Sequence, residues 1–409
     1  MEGISGRGTN ILTAEELSVA PSPQVLTVVS PVVFGILLWI ASWCIITTLV
    51  YTICRHREKQ CRLYHDRIEV IPLVLLIRLT KRVPVADWFE NNRIARGFFA
   101  IAGTISFIVS LAIFYSISFS YVSQLLKRLL GLTEQVSMPP PFQPILPGIT
   151  IDLEMFLYML PSISLAIVAH ELFHAIAARA DKIPIKSAGI LFAIGTIFGA
   201  FVEPDEEKVK NSSLASRARL YMAGITANMF LALLFFAVLS VFGTQYAVLV
   251  TSVQINSPAY NAGIQPGDVI LEVDGHKIHS IWDLKQALQE KLCNNIVVRH
   301  ANGQTELLTV CRKANEKYIG VYVGEVPASL VGLGPETARA IYYIIFWGFV
   351  INLSLAMINA APLFVTDGAQ LLNDMLVAVG GKVGKTVSLS VQIVTLLLLL
   401  LGVNLRVIG

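Results

Sequence analysis

The sequence predicts a polytopic α-helical membrane protein of about six transmembrane helices. It also predicts one inserted α+β domain and one re-entrant or β-hairpin segment at membrane depth. Three observations lead there. Of the 409 residues, 55% are hydrophobic and only 14% are charged, against about 25% charged in typical soluble domains. Six apolar runs reach roughly the 20 residues that a helix needs to cross a bilayer. One long polar stretch, 243–339, separates the fourth run from the fifth. Such a composition excludes a disordered chain and argues against an ordinary cytosolic enzyme. The net charge of +3 is too small to mark a nucleic-acid partner. The lipid bilayer is the expected partner surface, and no nucleic acid is expected.

Residues 1–31 read as a terminal segment without the basic stretch, short apolar core and small-residue site of a cleavable signal. Val32–Cys54 and Phe98–Val122 are the first two spans, within an N-terminal membrane region 32–126 whose connecting loop is strongly basic. Inside that loop, Ile68–Thr80 is apolar but too short to cross, and reads as an element at the membrane surface. The central membrane region, 155–243, holds the third span, Phe156–Ala178, and the fourth, Leu220–Phe242. Between them, Ile183–Val202 is long enough to cross but is broken by Pro184, Gly189, Gly195 and Gly199. Its β-branched and aromatic content suits a hairpin or re-entrant segment. Non-helical backbone at that depth must be buried in protein or line a wet cavity. The C-terminal region, 337–409, contains Ala340–Ala361 and Thr386–Val403 as spans five and six. Nineteen Lys and Arg fall in the loops on one side and four in the short segments on the other. The positive-inside rule therefore expects the basic loops in the cytoplasm, with the N-terminus and the 243–339 stretch outside.

Within that stretch the chain reads Ser257-Pro258-Ala259, then Ala262-Gly263-Ile264-Gln265-Pro266-Gly267-Asp268-Val269-Ile270, then Leu271-Glu272-Val273-Asp274-Gly275. Pro-Gly-Asp is a turn, the following apolar run a strand, and Asp-Gly a hairpin signal. Ile281–Lys291 has a helical apolar face. This string resembles a PDZ domain over 245–326, and the strand Tyr318–Val323 is expected to border its groove. The resemblance implies capture of an extended peptide, such as a C-terminus, at a sheet edge; a domain that only fills space or restricts access is the alternative. Cys293 and Cys311 both lie here, as a disulfide or as two thiols.

The third span contains His170-Glu171-Leu172-Phe173-His174. Imidazoles at i and i+4 lie on one helix face and can share one metal ion, and Glu171 beside them can take a proton from a water that the metal acidifies. About 0.005 such motifs are expected by chance from this His and Glu content, so the motif's mechanism is a better explanation than coincidence. Ionisable residues inside a span each cost about 2.5–3.5 kcal/mol or more, so they are usually functional. Two His leave a catalytic zinc one protein ligand short. Asp367, in Asn359-Ala360-Ala361-Pro362-Leu363-Phe364-Val365-Thr366-Asp367-Gly368, follows span five at the same membrane side as His170 and His174. Asp374 is its rival.

The metal motif, the later Asn-x-x-Pro-x-x-x-x-Asp-Gly motif and the PDZ-like insert together resemble the site-2 protease family of intramembrane zinc metalloproteases. The resemblance covers 155–375. It implies one zinc per chain, held by His170, His174 and Asp367, with Glu171 as catalytic base. Gly224-Ile225-Thr226-Ala227-Asn228 matches a further Gly-x-x-x-Asn element. Asn228 and Asn359 are amides at membrane depth; they serve the substrate backbone or an oxyanion, or else bond helix to helix. Gly199, Ala200, Phe201 and Val202 are the expected edge that receives an unwound substrate. The implied function is hydrolysis within or near the transmembrane helix of a single-span membrane protein. A PDZ-bearing membrane scaffold and a metal-ion transporter are the other classes open to this sequence.

Overall fold

The structure is a computed structural model and describes residues 41–53, 62–63, 67–71, 74–132, 140–193, 197–243, 245–289, 291–313 and 318–403. The 1–31 segment and the first part of span one therefore lie outside the described residues. In chain order the helices are α1 (Ala41–Ile53), α2 (Pro84–Asp87), α3 (Arg93–Leu129), α4 (Leu153–Ala180), α5 (Glu206–Lys210), α6 (Leu214–Val241), α7 (Pro258–Ala262), α8 (Ile281–Gln289), α9 (Pro335–Ala360) and α10 (Asp367–Leu401). The strands are β1 (Arg62–Leu63), β2 (Ile68–Ile71), β3 (Val74–Thr80), β4 (Ile185–Ala193), β5 (Ile197–Pro204), β6 (Tyr246–Val253), β7 (Val269–Val273), β8 (His276–Lys277), β9 (Cys293–Arg299), β10 (Thr305–Cys311) and β11 (Val321–Pro327).

Among the described residues five helices, α3, α4, α6, α9 and α10, are long and apolar enough to cross a membrane. They mark the chain as an integral membrane protein. Helix α6 is the hub, packing against α9, α4, α3 and α10. Its residues Met222–Met229 are buried all round, and Ala223, Gly224, Ala227 and Ala232 keep its surface low, so neighbouring helices approach closely. Side chains at the helix ends begin the elements: Asn92 accepts from Ala95 N–H at 3.0 Å, Asp152 from Met155 N–H at 2.7 Å and Ser213 from Ser216 N–H at 3.2 Å. Arg219 grips Asp181 with both nitrogens, at 2.8 and 2.5 Å, and so ties the C-terminal end of α4 to α6.

The last span differs from the expected Thr386–Val403. Helix α10 begins at Asp367, where Thr366 caps it, and breaks at Gly381, whose φ of 50° is outside helical geometry. The segment 367–380 is thus a separate helical arm. Its Asn, Asp and Gly content hides it from a scan for apolar runs.

The Ile183–Val202 run holds two antiparallel strands, in keeping with the expected hairpin. Strands β4 and β5 pair antiparallel with Leu191 opposite Gly199, Ile190 opposite Ala200, Gly189 opposite Phe201 and Ala188 opposite Val202. The Ile68–Thr80 segment joins it as β2 and β3, giving a five-stranded sheet in the order β1-β2-β3-β4-β5. Gly189 is needed there, since a methyl group on it would stand 2.0 Å from Ile77 O. Strand β5 is an outer strand and lies against α4.

Residues 246–327 form a second sheet, β10-β9-β7-β6-β11, with β8 paired to β7. Its core is built from Val248, Val250, Ile270, Val273, Ile296 and Val298, all fully buried. Asp274 and Gly275 both take positive φ, the requirement of the tight β7–β8 turn. Cys293 and Cys311 stand opposite each other on β9 and β10 and form a disulfide. The expected strand Tyr318–Val323 is observed as β11, three residues later, and it is an edge of this sheet beside α8.

Candidate active site

Helix α4 presents His170 and His174 one turn apart on the face turned to α6. Gly224 of α6 makes that contact possible: a methyl group there would sit 2.4 Å from His170 Cε1 and Nε2, and 2.5 Å from His174 Nε2. Each ring is held from behind. His170 Nδ1 donates to Asn228 Oδ1 at 2.7 Å, and His174 Nδ1 donates to Leu220 O at 2.8 Å. Both partners are acceptors, because Asn228 uses its amide nitrogen to donate to Ala166 O at 3.1 Å and Asn352 Oδ1 at 3.2 Å. The tautomers follow from those partners: the protons sit on Nδ1 and both Nε2 atoms present bare lone pairs.

The two Nε2 atoms face each other at 3.0 Å. Asp367 completes the triangle, with Oδ2 at 3.4 Å from His170 Nε2 and 3.3 Å from His174 Nε2. That oxygen is buried and without a hydrogen-bond donor. Three acceptors in mutual contact repel unless a cation joins them. The spacing fits one: ligands about 2.0 Å from a tetrahedral zinc stand about 3.3 Å apart. Among the described residues this is the cluster of His, Cys, Asp and Glu able to hold a metal ion.

Asp367 reaches the site through the turn between α9 and α10. Thr366 Oγ1 donates to Ala361 O at 2.6 Å and accepts from Leu363 N–H at 3.1 Å and Ala369 N–H at 3.3 Å. Gly368 lets the two helix ends cross, because a methyl group on it would be 2.0 Å from Ala360 O and 3.1 Å from Asn359 O. Asp374 stands apart from the triangle: its Oδ2 meets Arg217 Nε at 2.8 Å and accepts from Tyr221 OH at 3.1 Å.

Glu171 points to the sheet. Its Oε2 accepts the Val202 N–H of β5 at 2.8 Å. Backbone groups alternate along a strand, so the Ala200 amide faces the same way as Val202, while Gly199 and Phe201 turn theirs to β4. Of the expected edge residues, Val202 thus touches the site directly. Asn228 is placed differently from an oxyanion or substrate donor: it is fully buried and its carboxamide is committed to His170, Ala166 and Asn352. Asn359 spends one N–H on Leu355 O, 3.1 Å away in its own helix. The sequence reading missed Asn352, the Leu220 carbonyl and the Arg217–Tyr221 pair. An amide buried in span five was the available signal for Asn352; a backbone carbonyl has none.

Comparison with known proteins bears on the same region. The profile of peptidase family M50 matches residues 158–401. An uncharacterized protein of Methanocaldococcus jannaschii is 31% identical over 51% of this chain and 54% of its own length. A membrane-bound transcription factor site-2 protease homolog of Arabidopsis thaliana is 31% identical over 36% of this chain and 30% of its own. Metalloprotease MmpA of Caulobacter vibrioides is 38% identical over 27% and 29%. The chain spans about half the length of the first of these relatives and under a third of the other two. More than half of the chain matches the family profile, and His170, Glu171, His174 and Asp367 all lie inside the match; the chain belongs to peptidase family M50, the site-2 protease family.

Proposed function

We propose that this protein is an intramembrane zinc metalloprotease that hydrolyses peptide bonds within or near the transmembrane helices of its substrates. The observation that carries this reading is the triangle of lone-pair atoms at 3.0–3.4 Å, with the neighbouring Glu171 carboxylate bonded to a strand edge. One zinc ion per chain, held by His170, His174 and Asp367, would supply a Lewis acid that makes a water nucleophilic near neutral pH and polarises the scissile carbonyl. Asn228 and the Leu220 carbonyl keep the ligand rings in the required tautomer and raise their basicity. Glu171 takes the proton of the attacking water and returns it to the leaving nitrogen.

A peptide bond inside a helix is shielded by its own hydrogen bonds and must be unwound before attack. The outward amides of Ala200 and Val202 on β5 can pair with the unwound segment, which then lies beside Glu171. Gly199 and Phe201 keep that edge in register with β4. Asn359, at the end of α9 leading to Asp367, serves the substrate backbone or the oxyanion through its second N–H.

The substrates in this reading are single-span membrane proteins. The 245–326 module, read as a PDZ domain, lies outside the cytoplasm with the N-terminus and takes a peptide C-terminus or limits entry to trimmed substrates. Its disulfide suits an oxidising compartment. The site then faces the cytoplasmic half, where cleavage releases a fragment.

The test is cleavage of a reporter protein with one transmembrane helix by the purified full-length chain. Glu171→Gln should keep its zinc and lose cleavage by about 10²–10⁴-fold, the usual contribution of a general base. Undiminished cleavage in that variant would remove this function.

A further inference from the structure

We infer that Arg217, Tyr221 and Asp374 form a clamp that sets the metal affinity of the site by fixing where Asp367 stands. The inference rests on the reading that His170, His174 and Asp367 hold the metal.

Asp367 is the first residue of α10, and its Oδ2 has no hydrogen-bond donor to steer it. Its place is therefore decided by the place of the helix. Thr366 fixes where that helix starts, but a cap at one end leaves rotation about the axis free. The arm to which Asp367 belongs ends at Gly381, where the helix breaks. The lower part of α10 thus cannot impose the rotation rigidly across the break.

Asp374 lies seven residues after Asp367, two helical turns along the same face. Its Oδ2 pairs by charge with the Arg217 guanidinium, Nε standing 2.8 Å away without hydrogen-bond geometry, and it accepts a hydrogen bond from Tyr221 OH at 3.1 Å. Both partners project from α6, one turn apart. Arg217 is itself anchored, with Nη1 donating to Lys210 O at 3.1 Å, in the last residue of α5, and to Ser212 O at 3.3 Å, just beyond it. The ion pair and the Tyr221 bond pin the arm two turns from its start, which together with the Thr366 cap fixes both its origin and its rotation.

The same helix positions the other two ligands. Along α6 the sequence positions 217, 221, 224 and 228 fall at i, i+4, i+7 and i+11, a single face. Gly224 receives the His rings and Asn228 holds His170, while the neighbouring Leu220 carbonyl holds His174. Helix α6 thereby registers all three ligands: two by direct bonds and the third through Asp374. Arg217 and Tyr221 are positioning residues that touch neither metal nor substrate.

The test is zinc affinity of the full-length protein in nanodiscs, measured by competition with a chelator. Arg217→Met should weaken zinc by roughly tenfold or more, the scale of lost outer support at metal sites. Tyr221→Phe, a milder change that leaves the ion pair in place, should weaken it in the same direction by a smaller factor. Because the clamp acts through Asp367, Arg217→Met should have no further effect on zinc affinity in an Asp367→Asn background. Wild-type affinity in both single variants would overturn the clamp. So would an equal loss from Arg217→Met with and without Asp367, since general destabilisation would add in both backgrounds. A wild-type protein that binds no zinc would instead remove the metal reading itself, and the clamp with it.

Discussion

Gly224 shows how much one missing methyl group decides at the residue scale. In a helix interior Gly is ordinarily about 1 kcal/mol worse than Ala, so Gly224→Ala should stabilise α6 if nothing else mattered. The added Cβ would instead fall 2.4–2.5 Å from both imidazoles. The expected outcome is loss of zinc binding by equilibrium dialysis, with helical content by circular dichroism unchanged. Asn228→Leu should lower zinc affinity about 10–100-fold, because it removes the partner that fixes the His170 ring. Retained wild-type affinity would return Asn228 to a helix-bonding role. A different residue, in the 246–327 module, should set a pH dependence of its stability. His300 donates to buried Asp268 at 2.8 Å and to Glu306 at 3.1 Å, and these bonds raise its pKa above the usual His value. Protonation is favoured in the folded state, so its stabilisation is whole below about pH 6.5 and fades as pH rises through the raised value. Thermal unfolding of the module should show this fall in alkaline buffer, and His300→Gln should abolish that part of the pH dependence. At this scale the metal motif was legible because i,i+4 spacing alone sets the geometry. The orientation of Asn228 was not, since its partners come from three other helical turns.

Elements differ in how openly their sequence declares them. The β4–β5 hairpin was legible from Pro184 and three glycines in an apolar run. Its pairing with β2–β3 was not, because that contact joins residues more than a hundred positions apart. Helix α10 was placed too late: the expected span began at Thr386 and left 362–385 as a connecting segment, whereas the Thr366 cap and the Arg217–Asp374 bridge sustain a helical arm from Asp367. The edge strand can be tested separately from the metal. Val202→Pro removes the N–H that holds Glu171 but no bond to β4, given the alternation of the ladder. Zinc content should stay near wild type while cleavage of a transmembrane reporter falls about 100-fold or more. Phe201→Pro removes an N–H directed to β4 and should weaken the hairpin itself, read as faster hydrogen exchange along β4. Equal cleavage by Val202→Pro and wild type would exclude β5 as the platform for base and substrate.

The whole molecule is organised around α6, which the hydropathy pattern marked as one span among several. Its central position follows from small residues facing several neighbours at once, a property that single-sequence periodicity registers only as uniform apolarity. The side of the membrane on which each end lies was read from nineteen cations against four, and cysteine reactivity can check it. In sealed right-side-out vesicles a single reporter cysteine at Asn302, in the β9–β10 turn, should react with a membrane-impermeant thiol reagent. One at Lys208, in the basic segment after β5, should react only after permeabilisation. Reversed labelling would invert the topology while leaving the site geometry intact. X-ray absorption at the zinc edge of the zinc-loaded Glu171→Gln protein probes the metal site itself. The expected result is one zinc per chain with nitrogen and oxygen neighbours at about 2.0–2.2 Å, including two imidazoles, and loss of one imidazole from the spectrum in His174→Ala. A sulfur shell near 2.3 Å, or a spectrum unchanged in both His174→Ala and Asp367→Asn, would contradict it.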